Sequence, residues 1–105
     1  MAATRACAVS ELLEGKPFPV EVDGTDVALV RYGDEVFAIR DECSHAAIAL
    51  SEGDVEGCEI ECWLHGSTFS LRTGEALNLP ATEPVPVYPA TVEGDDVLVD
   101  VDNPI

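Results

Sequence analysis

Basic residues are scarce in this chain. Five Lys and Arg stand against 21 Asp and Glu among 105 residues, for a formal charge of −16. That balance argues against nucleic acid as a partner, because phosphate contacts need Lys and Arg, and against anionic membrane surfaces for the same reason. Long apolar runs are also missing: nothing approaches the ~20 residues that cross a bilayer. Residues 1–10 carry one positive charge and no extended apolar stretch, so they do not read as a secretory leader. The expected setting is cytoplasmic, where thiols stay reduced and disulfides are rare. In that setting the four cysteines point to metal binding before cross-linking.

What remains is enough to fold. Apolar residues make up 47% of the chain, which is not the composition of a disordered segment. The length suits one domain, expected to be a monomer, with a modest core. The acidity has two readings, solubility or steering toward basic partners.

The pattern along the chain is short strands broken by turns. Strand candidates fall at residues 4–9, 18–22, 27–30 and 36–39. Asp23-Gly24 is a hairpin signal, and Ser10 is a candidate cap for a single helical turn ending at Gly15. Further candidates lie at residues 54–56, 58–61 and 68–71. A Pro-punctuated stretch at 85–92 suits an edge strand, and 97–101 follows Gly94-Asp95-Asp96. Short strands with frequent turns predict an all-β barrel or sandwich. Residues 41 to about 80 read as an insertion between its strands.

The chemistry is concentrated in Cys43-Ser44-His45 and Cys62-Trp63-Leu64-His65-Gly66-Ser67. The spacing is Cys-x-His, sixteen residues, Cys-x-x-His, and it takes in every histidine of the chain. Each half pairs one thiolate with one imidazole. A structural Cys₂His₂ zinc site that serves protein binding is one reading of such a set. Zinc fingers, however, pair Cys with Cys and His with His, whereas each segment here mixes the two. A two-iron cluster can use the mixture, with both thiolates on one iron and both imidazoles on the other.

On Cys43-x-His45 and Cys62-x-x-His65-Gly66, the chain resembles the Rieske ferredoxins. Leu79-Pro80 falls where that family has a proline-containing loop over its cluster. The resemblance covers residues 4–101 and is closer to the soluble ferredoxins of bacterial ring-hydroxylating dioxygenases. It implies a Rieske fold: a small antiparallel β barrel or sandwich base with an inserted cluster-binding subdomain at about 41–80, all within one domain of residues 1–105. It implies one [2Fe–2S] cluster on Cys43, His45, Cys62 and His65. Respiratory members have two further cysteines, here Ile48 and Leu64, so their loop disulfide cannot form. Ser67 matches a serine that donates to the cluster in those proteins, and Phe69 replaces their tyrosine.

The function implied is one-electron carriage without catalysis by the chain itself. Electrons would pass from a flavin-dependent reductase to a terminal oxygenase or another acceptor. Cluster assembly or redox maintenance is a second context for the same centre. Cys7 and Cys58 lack a His at ligand spacing and read as small buried hydrophobes. Asp41, Glu42, Glu52, Asp54 and Glu61 lie near the ligand segments in sequence and are expected to ring an apolar docking patch that includes Trp63.

Overall fold

The computed structural model describes residues 3–33, 35–43, 48–63, 66–78, 83–102 and 104. The architecture is all-β. Ten strands are described: β1 (Thr4–Ala8), β2 (Phe18–Val22), β3 (Thr25–Tyr32), β4 (Glu35–Arg40), β5 (Val55–Glu56), β6 (Glu59–Glu61), β7 (Thr68–Ser70), β8 (Val87–Tyr88), β9 (Ala90–Glu93) and β10 (Asp96–Val99). They form three antiparallel sheets, ordered β1-β10-β9, β2-β3-β4-β8 and β5-β6-β7.

The middle sheet is covered on both faces. Val27, Ala28, Leu29 and Val30 of β3 are all fully buried. Because side chains alternate along a strand, Val27 and Leu29 pack with Ala38, Tyr88, Val97 and Val99 against the β1-β10-β9 sheet. Ala28 and Val30 pack on the opposite side with Ile39, Val87, Ile60 and Phe69. An unbroken apolar run is what two-sided burial requires. The β2–β3 hairpin that presents this run turns on Asp23 at φ 50° and Gly24 at φ 82°. These left-handed values match the twist of the flanking strands.

The third sheet lies between β4 and β8 in the chain. β4 and β8 are neighbours, with Ala38 opposite Tyr88 and Ile39 opposite Val87. The Arg40 N–H donates to the Pro86 carbonyl at 2.9 Å, so the chain returns beside the point where it left. In β6, Ile60 turns inward opposite Phe69 while Glu59 and Glu61 face outward. Arg72 ties this sheet back to β4: its guanidinium pairs with Glu35 at 3.4 Å and lies 5.1 Å from the centre of the Phe37 ring.

Two local expectations change. The stretch at 85–92 is not one edge strand. It divides at Pro89 into β8 and β9, which sit in different sheets, because proline has no N–H to continue a ladder. Ser10 caps no helical turn. A 3₁₀ turn covers Val9–Glu11, where the Glu11 carboxylate accepts the Ala8 N–H at 2.8 Å. The Ser10 hydroxyl donates instead to Asp95.

Candidate metal centre

Cys43 follows β4 by three residues. The chain leaves that strand under restraint: the Asp41 N–H donates to the Asp26 carbonyl at 3.0 Å. The Asp41 carboxylate accepts both the Ser51 N–H and the Ser51 hydroxyl, each at 2.6 Å. Between these two anchors the Cys43 N–H donates to the Ile48 carbonyl at 2.8 Å and closes a loop.

Cys62 follows β6 directly and starts a second closed loop. Its N–H donates to the Ser67 carbonyl at 2.7 Å, and the Gly66 N–H donates back to the Cys62 carbonyl at 3.0 Å. Gly66 sits at φ 76°, a conformation that favours a residue without a side chain. The Asn78 carboxamide meets this loop from outside. Its oxygen accepts the Thr68 N–H at 2.7 Å and the Thr68 hydroxyl at 3.2 Å, and its nitrogen donates to the Gly66 carbonyl at 3.3 Å.

Neither Cys43 nor Cys62 is in a disulfide, and they are 3% and 0% exposed. They belong to one buried cluster with Leu50, Ile60, Phe69 and Leu71. Ser67 is fully buried as well. Soft sulfur donors in a water-excluded setting, each at the root of a closed loop, fit a thiolate-bound iron centre. Among the described residues no third His, Cys, Asp or Glu joins them at metal-binding range. His45, His65, Leu64 and Leu79-Pro80 lie outside the described residues.

The other two cysteines part company. Cys7 is buried in β1 against Val97, and burial, reinforced by the charge of Glu11, pushes its thiol pKa up. Cys58 is half-buried between β5 and β6. Hydrogen bonding to Glu35 holds the Arg72 guanidinium above its ordinary pKa. Iodoacetamide applied to the native protein at pH 8 should therefore alkylate Cys58 well before Cys7, because the thiolate reacts and access limits it. Peptide mass spectrometry would read the order, and equal rates would contradict the burial of Cys7.

The expected acidic ring changes in one member. Asp41 is half-buried with both carboxylate oxygens on Ser51, so it is a structural anchor and not a free surface charge. Glu42, Glu52 and Asp54 are exposed, and Glu61 is half-buried at the end of β6. Trp63, one residue past Cys62, is 51% exposed. Asn78 drew no attention in the sequence. Its place just before Leu79-Pro80 is the one signal that could have found it.

Set against known proteins, residues 2–89 match the Rieske [2Fe-2S] domain. The chain belongs to the Rieske [2Fe–2S] family, and its cofactor is one [2Fe–2S] cluster. It is 42% identical over 97 residues to the 3-phenylpropionate/cinnamic acid dioxygenase ferredoxin subunit of Shigella boydii, covering 91% of each chain. Among solved structures it resembles the ferredoxin of carbazole 1,9a-dioxygenase from Nocardioides aromaticivorans IC177. That similarity has a TM-score of 0.91 and 40% identity, and covers 94% of this chain and 97% of the other. A ferredoxin solved in complex with the oxygenase of carbazole 1,9a-dioxygenase gives a TM-score of 0.88 at 34% identity, covering 94% and 93%. Among the described residues no helix is long and apolar enough to cross a membrane.

Proposed function

We propose that this chain is the ferredoxin of a ring-hydroxylating dioxygenase system in the cytoplasm, taking single electrons from a flavin-dependent reductase to a terminal oxygenase. The observation that carries the reading is the pair of buried, unbridged thiols of Cys43 and Cys62 in one core cluster, each at the root of a closed loop. The similarity to ferredoxins, one of them solved with its oxygenase, supports the choice of partner.

In this reading Cys43, His45, Cys62 and His65 hold the cluster, and residues 41 to about 80 act as its binding subdomain within a single domain. The bound cluster supplies a site that takes up and releases one electron at a time. The chain's own residues do the rest. Two thiolates and two neutral imidazoles leave the centre with less negative charge than four thiolates would, which favours uptake of an electron. Leu50, Ile60, Phe69 and Leu71 keep water from the sulfurs. Trp63 presents an exposed aromatic surface next to Cys62. The exposed Glu42, Glu52 and Asp54, near the ligand segments in sequence, offer charge that steers a basic partner.

Two measurements test this. Anaerobic titration of iron-loaded protein should consume one electron per chain with reversible bleaching of its visible colour, whereas colourless protein holding zinc would support the structural-zinc reading. In stopped flow, the second-order rate of reduction by the reductase should fall as salt shortens the Debye length from ~10 Å at 0.1 M to ~3 Å at 1 M. Glu42→Lys should slow it more than Asp95→Lys on the β9–β10 turn. A rate indifferent to salt and to both reversals would return the acidity to solubility alone.

A further inference from the structure

We propose that Asn78 is a positioning residue that fixes the geometry of the 62–67 loop from outside it. The proposal rests on Cys62 and His65 being ligands, as above. Asn78 spans two points of one tight turn. Its carboxamide oxygen takes both donors of Thr68, and its carboxamide nitrogen caps the Gly66 carbonyl. The polarity fits only one way round, since a reversed amide would set its NH₂ against the Thr68 N–H and its oxygen against the Gly66 carbonyl. The neighbouring ladder, Leu77 N–H to the Thr68 carbonyl at 2.8 Å, aims the side chain at these three atoms.

The loop needs an outside restraint at that place. Its internal bonds, Cys62 N–H to Ser67 and Gly66 N–H to Cys62, tie its ends together. Neither holds the Gly66 carbonyl, which follows the residue expected to be a ligand. Gly66, with its left-handed φ, is a point where the backbone can swing. Asn78 is exposed and packs into no core cluster, so a role in core packing does not account for its three hydrogen bonds. A side chain that holds the backbone immediately after a ligand acts on the metal as outer-shell partners do, by setting ligand orientation.

The test uses the full chain loaded with iron and sulfide: wild type, Asn78→Ala, Asn78→Gln and Cys62→Ser. Asn78→Ala should release iron to a chelator about two- to tenfold faster, the range expected for losing a hydrogen bond or two. The EPR spectrum of its reduced form should be shifted or broadened. Asn78→Gln keeps both the acceptor and the donor on an arm one methylene longer and should fall between wild type and Asn78→Ala. Should Asn78→Ala fail to load, Asn78→Gln carries the same comparison against wild type. Unchanged release and an unchanged spectrum, even with a lowered melting temperature, would overturn the proposal and leave the ligand assignment standing. Iron retained by Cys62→Ser would overturn the ligand assignment and the proposal together.

Discussion

Cys43→Ser and Cys62→Ser should each purify without iron and without visible colour under conditions that load the wild type. Serine nearly matches cysteine in volume, so the buried sites at 43 and 62 should still pack and both variants should fold. What changes is the donor: a hydroxyl is not deprotonated near neutral pH, and iron–sulfur clusters are held by thiolates. In the proposed ligand set His45→Ala and His65→Ala each open a coordination position, so both should lose the cluster or hold an altered one. Cys7→Ser and Cys58→Ser should keep full iron, because Cys7 lies in the other core cluster, between β1 and the middle sheet, and Cys58 lies on a strand turn. Iron analysis with circular dichroism separates loss of metal from loss of fold. A colourless Cys58→Ser beside a loaded His45→Ala would reverse the assignment.

The second large effect concerns backbone contacts that leave no room for a methyl group. A Cβ on Gly53 would run into the Glu61 carbonyl oxygen. Glu61 is itself fixed, its N–H donating to the Asp54 carbonyl at 2.8 Å, and it immediately precedes Cys62. Gly74 has a left-handed φ of 78°, and a Cβ there would strike the Val85 carbonyl oxygen and come within 2.9 Å of the Val87 side chain. Gly53→Ala and Gly74→Ala should each cost about 2–4 kcal/mol, as overpacking against backbone does. Gly94 also has a positive φ but meets nothing within 4 Å, so Gly94→Ala should cost only about 1–2 kcal/mol of backbone strain. Urea unfolding of the metal-free variants checks the ranking. Equal losses at positions 53 and 94 would mean that the close approach of residues 53 and 61 is wrong.

Where a feature depends on neighbours in sequence, it was legible. The Asp23-Gly24 turn and strand β2 follow from local turn chemistry and alternation, and the structure has β2 at Phe18–Val22. The apolar run at 27–30 read as a strand, and its two-sided burial explains why it does not alternate. Cys43 and Cys62 stood out from their local motifs, and the structure buries both in one core cluster. What was not legible depends on distant partners. Residues 85–92 read as a single strand because nothing local says that β8 pairs with β4 while β9 pairs with β10. Asp41 read as a surface acid because its partner, Ser51, is ten residues away across a loop. Asn78 was silent for the same reason: its hydrogen bonds reach back ten and twelve residues.

The bond between Arg40 and Pro86 has a bearing on how this chain can change. A long excursion whose two ends meet at one rung of a sheet is a closed loop, and the entropy of closing a loop grows only with the logarithm of its length. Adding or removing residues between those ends therefore changes the free energy of the β2-β3-β4-β8 sheet by small amounts, as long as the side chains covering its far face are kept. The stretch that carries Cys43 and Cys62 can accordingly be lengthened, shortened or rewritten around its ligands while the sheet beneath it stays as it is.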